Sequence, residues 1–193
     1  MTGNNRFLHA TVAGLLVLIL AATPALAGPL EKAKAAAAKQ DWKTAAELYA
    51  KVLDDKPEQR EAAIGIVEAA IKAGLPDLYP YAEDGLLALR EQNARDWDVD
   101  AALGQISLAL SASKDDTLAK KSYDAQAIDC FETVLSAQPT NEAAAAGLAE
   151  VHFQSAQFQV AIQVVDKFLA KNPKSSAKAL FWKGQAHYFL AQD

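Results

Sequence analysis

The sequence predicts an all-α fold in which antiparallel helix pairs stack into a solenoid. Three observations lead there. No stretch alternates apolar and polar residues with the period of two that a half-buried strand needs. Alanine is heavily used while Gly and Pro are sparse, 9 and 7 of 193 residues, a composition that favours helix. Three segments also repeat one frame: "DWKTAAELYAKVLDDKP", "YDAQAIDCFETVLSAQP" and "FQVAIQVVDKFLAKNP".

In each segment an alanine (Ala45, Ala127, Ala161) precedes a large residue by four positions (Tyr49, Phe131, Val165). An apolar pair follows three and four residues on: Val52-Leu53, Val134-Leu135, Phe168-Leu169. Spacings of three and four put these side chains on one helical face. The alanine falls where another helix must approach closely. Proline stands beyond the last turn, at Pro57, Pro139 and Pro173, where it stops the helix and fixes the exit direction.

The elements follow in order. A first helix near 30–39 leads into the first frame, a second helix near 42–55. "EAAIGIVEAAIKAG" comes next and predicts a first helix over 59–73. "LPDLYPYAEDGLLALREQNARD" gives a poor second helix near 78–91, starting late and ending without proline. "WDVDAALGQISLALSA", with Leu103-Gly104, predicts a first helix over 98–111. The charged "SKDDTLAKKSYD" reads as an insertion at a turn, delaying the partner helix to 123–137. "EAAAAGLAEVHFQSAQ" then predicts a first helix over 141–155, with its partner at 158–171. "KALFWKGQAHYFL" gives a last first helix near 176–190.

These pairs resemble the tetratricopeptide repeat, whose pattern carries Leu-Gly, Tyr, Ala, Phe and Pro over 34 residues. The step from Pro139 to Pro173 is 34 residues. The step from Pro57 to Pro139 is 82, two periods plus 14, so one intermediate repeat lacks its proline and about 14 residues are inserted. The family's early tryptophan is missing from its usual place. The resemblance implies about four and a half repeats, near 28–58, 59–96, 97–140, 141–174 and an incomplete 175–193. It further implies a right-handed superhelix whose concave groove, lined by first helices, takes an extended peptide or a partner helix.

Carried onto this chain, the groove positions are Glu61, Ile64, Glu68, Ile71 and Lys72 in the second pair, and Asp98, Ala101, Gln105 and Leu108 in the third. The fourth contributes Ala143, Ala146, Glu150, Phe153 and Gln154, and the fifth Lys178, Phe181, Gln185 and Tyr188. The set mixes acids, small residues and aromatics. It lacks the clustered Lys and Arg that would clamp a terminal carboxylate, and so favours an amphipathic or basic protein segment.

Ahead of the repeats, "MTGNNRFLHATVAGLLVLILAATPALAGPL" has Arg6, an uncharged apolar run from Val12 to Ala22, the breaker Pro24, and small residues at 25 and 27. This is the grammar of a signal peptide over 1–27, cleaved after Ala27, on a chain exported to a bacterial periplasm. The run is shorter than the ~20 residues that span a bilayer, so no stable membrane insertion is expected after cleavage. An uncleaved anchor would instead make the chain a membrane-tethered assembly factor of the secretion, pilus or cytochrome-maturation kind. Loss of Arg6 leaves 18 basic residues against 24 acidic, a net −6. Such a balance opposes nucleic acid and anionic lipid, both of which select Lys and Arg.

The constellations that could carry chemistry are weak. Asp96, Asp98 and Asp100 have the spacing that opens a calcium loop, but Ala101 and Ser107 stand where it needs Gly and a bidentate acid. Capping of a helix explains the aspartates. His152 and His187 fall at the family's buried aromatic position and read as core histidines, Trp42 as a packing aromatic, and Cys130 as a small buried hydrophobe. No phosphate loop, nucleophile elbow or Cys-x-x-Cys occurs. The expectation is a non-catalytic binding scaffold of the cell envelope with no cofactor or metal, or else an accessory module of an envelope enzyme. Its partner is a protein or peptide. The last helix is apolar all round, and the expectation is that further repeats or a second copy cover 176–193.

Overall fold

The computed structural model describes residues 28–172 and 177–192. The expected signal peptide, 1–27, and Pro173 lie outside them. Among the described residues the chain forms α1 (Pro29–Ala38), α2 (Trp42–Asp55), α3 (Arg60–Ala73), α4 (Tyr79–Gln92), α5 (Trp97–Ala112), α6 (Thr117–Ala137), α7 (Glu142–Gln154), α8 (Phe158–Lys171) and α9 (Ala177–Leu190), with one 3-10 turn at Pro76–Leu78. Each helix packs on the next in sequence. The odd-numbered helices α3, α5, α7 and α9 also touch one another in succession, so they form one continuous layer and the even-numbered helices the other.

Local chemistry sets the helix ends. Asp41, Asp96, Asp116 and Asn141 each accept a backbone N–H from the first turn of the helix that follows, satisfying one of the donors a helix start leaves unpaired. Gly74 closes α3 at φ 64°, left-handed backbone that suits glycine. Gln40 and Ala156 adopt φ 60° and 56° without that freedom, each in the tight turn inside a helix pair.

The repeated frame supplies the core. Ala45, Ala127 and Ala161 are completely buried, as are Phe131 and Val165, and Tyr49 is nearly so. Glycine makes room for the two aromatics. A Cβ added at Gly65 would lie 2.5 Å from the Tyr49 ring, and one at Gly104 or Gly147 would lie 2.6 or 2.4 Å from Phe131. Phe131 on α6 is therefore wedged between α5 of its own pair and α7 of the next. Burying a side chain of that size contributes roughly 1.5–3 kcal/mol, and here it ties two repeats together.

Within the helices and their core, four sequence expectations are corrected. Only residues 113–116 of the expected insertion form the turn: helix α6 begins at Thr117, not near 123, and runs 21 residues. Asp116 caps it there, and Lys-, Ala- and Leu-containing sequence extends a helix readily. Helix α4 is not poor. It has the same 14 residues as α2 and buries Ala82, Leu86 and Leu89 at the frame's own spacing. Arg90 stands where the second apolar residue would be, and its guanidinium reaches Asp100 and Asp129 at 3.2 and 3.5 Å. His187 is exposed rather than a core histidine, because α9 turns Ala179 and Ala186 inward instead. Ala146 is completely buried among Ala145, Ala149, Val165 and Ala179 and has no groove face.

Candidate partner-binding groove

The layer of first helices bounds one long cleft of about 1170 Å³. Glu61, Ile64, Glu68, Ile71 and Lys72 line it from α3, and Asp98, Ala101, Gln105 and Leu108 from α5. Ala143, Glu150 and Gln154 contribute from α7, and Lys178 from α9. On α3, α5 and α7 the lining positions fall three, four and seven apart, the spacing that keeps side chains on one face.

Four other candidates lie elsewhere. Phe153 packs 5.4 Å from Phe158, 5.2 Å from Trp182 and 5.5 Å from Phe189 in an aromatic cluster between α7, α8 and α9. Phe181, Gln185 and Tyr188 do not line the cleft, which reaches α9 only at Lys178. The register that carried the groove positions onto α9 breaks down past its first turn.

Sequence reasoning missed Arg60, Gly65, Tyr79, Ala102, Ala109, Ala112, Asn141 and Gly147, which also line the cleft. Ala109 and Ala112 extend the Ala101–Gln105–Leu108 face by one more turn, so the helical period itself would have found them. Arg60 sits at the start of α3, where the period has no earlier turn to announce it.

The cleft's charges are arranged in pairs. Glu61 accepts from Lys34 at 2.6 Å, Glu68 from Lys72 at 2.9 Å, and Asp98 from Arg60 at 2.7 Å. Glu150 lies 3.8 Å from Lys178. Arg60 also forks onto Asp96, the α5 cap, holding the first turns of α3 and α5 together. The guanidinium keeps the Asp96 carboxyl below its usual range, and Lys34 does the same for Glu61. Lys72 further lies 4.4 Å from the centroid of the Trp42 ring, so Trp42 combines its packing role with a cation contact.

Glu150 differs from the other three acids. Only a fifth of its side chain is exposed, and burial pushes its pKa up against the opposing pull of Lys178 and the nearby Trp182 indole. Trp182 Nε1 is itself buried and makes no well-formed hydrogen bond. Between the charged pairs, Ile64, Ile71, Ala101, Ala102, Leu108, Ala109 and Gly147 leave an apolar strip.

The other chemistry-bearing residues are structural. Asp96 caps α5 through Val99 N–H and Asp100 is 2 % exposed behind Arg90, so this aspartate triplet is spent on capping and pairing. Cys130 is completely buried, and burial pushes its thiol up to about 12, out of reach for thiolate chemistry. His152 is buried with Nδ1 2.6 Å from Gln157 Oε1. Among the described residues no three His, Cys, Asp or Glu side chains converge as a metal site.

Comparison with known proteins agrees with this architecture. Residues 30–94 match one description of the tetratricopeptide repeat and residues 125–181 match another. No curated protein matches the chain by sequence. Among solved structures it is similar to a thermophilic TPR protein of Thermus thermophilus, at 17 % identity and TM-score 0.68, covering 84 % of this chain and 81 % of that one. It is similar also to MamA, at 18 % identity and TM-score 0.59 over 83 % and 79 %, and to MamA from MSR-1, at 16 % and 0.59 over 84 % and 85 %. At these identities the likeness is one of fold. The two family matches together span more than half of the chain and fall on the helix pairs described above, and the chain belongs to the tetratricopeptide-repeat proteins.

Proposed function

We propose that this protein–protein interaction scaffold holds an amphipathic segment of a protein partner in the cleft between α3 and α9, and that it does so in the cell envelope after export. The carrying observation is that four successive first helices bring an apolar strip and a row of paired charges onto one concave face. The exposed pairs among them, Arg60–Asp98 and Lys72–Glu68, contribute at most about 1 kcal/mol each. A partner's own charges can therefore exchange with them at little loss, while its apolar side chains take the strip. Balanced pairing favours a segment carrying both signs over a purely basic one. Export rests on the N-terminal grammar alone: an arginine, a short apolar run, a breaker and a small-residue cleavage site.

The test is native capture with the wild-type chain and with Glu68→Lys plus Glu150→Lys, after mass spectrometry of the mature N-terminus. A start at Gly28 and a partner lost or made strongly salt-sensitive by the double variant support the reading. A retained N-terminus points to a membrane-tethered factor. Unchanged capture and unchanged salt dependence overturn the groove assignment.

A further inference from the structure

The four acids that line the cleft are not equally served by their cations. Glu61, Glu68 and Asp98 are between 53 % and 67 % exposed, and each meets its cation at 2.6 to 2.9 Å, the ordinary length of a charge-assisted hydrogen bond. Glu150 is the reverse. Its side chain is 20 % exposed, and Lys178 Nζ stands 3.8 Å from Oε2. The other oxygen, Oε1, accepts from Gln154 Nε2 at 3.4 Å. Trp182 brings a buried indole N–H that makes no well-formed hydrogen bond. A carboxylate taken this far out of water is costly unless close donors replace the water. Both oxygens of Glu150 have only long contacts.

The surroundings show from which side a better donor would come. Helices α7 and α9 are neighbours within the layer of first helices, and Glu150 sits between them, facing the cleft. Gly147, one turn earlier on the same face, offers no side chain, so the floor there is the Phe131 ring. Leu108 belongs to the same apolar cluster and also lines the cleft. Lys178 is 60 % exposed, and its long side chain can turn to water. The result is a largely buried carboxylate beside an apolar notch.

We infer that Glu150 anchors an arginine side chain of the partner segment, with a neighbouring apolar side chain resting on Gly147 and Leu108. This anchor presupposes the groove reading and adds to it the contact that sets the register of the segment. A guanidinium carries two parallel N–H donors in a fixed fork, which suits a carboxylate whose two oxygens both lack a close donor. A lysine ammonium is a point charge without that fork. Glu68 and Asp98 already have a cation at hydrogen-bond distance and gain little from another. Lys178 is the resident competitor, displaced when the arginine arrives.

The test needs no identified partner. The probe is the dipeptide acetyl-Leu-Arg-amide, with the lysine and citrulline counterparts as controls, since citrulline keeps the shape of arginine without its charge. The readout is the indole N–H resonances of the three tryptophans in the isotope-labelled full-length chain. The Trp182 signal, assigned with Trp182→Phe, is expected to shift saturably, while Trp42, beside Lys72 at the other end of the cleft, stays in place. The arginine peptide is expected to bind at least threefold tighter than the lysine peptide, and the citrulline peptide to give no saturable shift. Glu150→Gln should abolish the shift, Glu68→Gln should leave it unchanged, and Lys178→Ala should tighten binding at least twofold. No saturable shift up to ~20 mM, in the millimolar range where single contacts bind, overturns the anchor. So does equal binding of either control peptide, a shift that survives Glu150→Gln or is lost in Glu68→Gln, or a Lys178→Ala chain that binds no tighter. Each of these outcomes leaves the groove reading standing, which falls only if native capture ignores Glu68→Lys plus Glu150→Lys.

Discussion

Three glycines and two aromatic rings decide how closely neighbouring helices approach. Gly104 and Gly147 both face the Phe131 ring at distances no Cβ can occupy without displacement. Gly147→Val is therefore expected to destabilise the chain by roughly 1–3 kcal/mol in a urea melt, the usual effect of overpacking a filled core. Adding Phe131→Leu should recover part of the loss, because a smaller side chain frees the space the valine needs. An undiminished loss in the double variant would show that Phe131 is not what the glycine accommodates. Glu150 makes a second point at this scale. Its folded pKa is raised by burial above the ordinary 4.5, so the folded chain holds that proton more tightly than the unfolded one. The unfavourable contribution of the ionised form is absent below about pH 4.5 and grows as pH rises through the folded value. Glu150→Gln should accordingly gain stability relative to wild type between about pH 4 and pH 7. A difference independent of pH would contradict the burial argument.

The helices show which parts of the fold were legible in the sequence. Helices α2, α3, α7 and α8 lie within a residue of where the apolar spacing puts them; Asp41 and Asn141 fix the starts of α2 and α7 by side-chain hydrogen bonds, while α3 and α8 start without such a cap. The extension of α6 was not legible. A charged run such as "SKDDTLAKKSYD" fits a loop and a solvated helix equally well, and only the cap at Asp116, with its oxygen 2.7 Å from Ala119 N, decides between them. Helix α4 was under-read because Arg90 replaces an apolar residue and no proline marks the end. That arginine makes sense only once Asp100 and Asp129 are brought beside it by α5 and α6. Asp116→Ala should cost about 1 kcal/mol. Hydrogen exchange should quicken in the first two turns of α6 and stay unchanged around Phe131. Equal quickening along the whole helix would show that those turns are not a separable extension.

At the scale of the whole molecule, the first helices form a continuous layer and the cleft belongs to that layer. The groove was largely legible on α3 and α5, where the repeat frame fixes which face turns inward. It was legible on α7 except at Ala146 and Phe153, which α8 and α9 cover. It failed on most of α9, whose all-round apolar sequence gives no preferred face to read, and whose orientation comes from the packing of Ala179 and Ala186. The account therefore rests on α3, α5 and α7 acting as one surface. The most direct measurement places a photo-crosslinking amino acid at Gln105, in the middle of the cleft, and at Glu132, on the separate hollow of about 410 Å³ between α6 and α8. The account predicts that Gln105 captures a protein partner in the native host and that excess Glu68→Lys plus Glu150→Lys chain fails to compete for it. Capture at Glu132 alone, or capture at Gln105 that the double variant competes away as well as the wild type does, would contradict it.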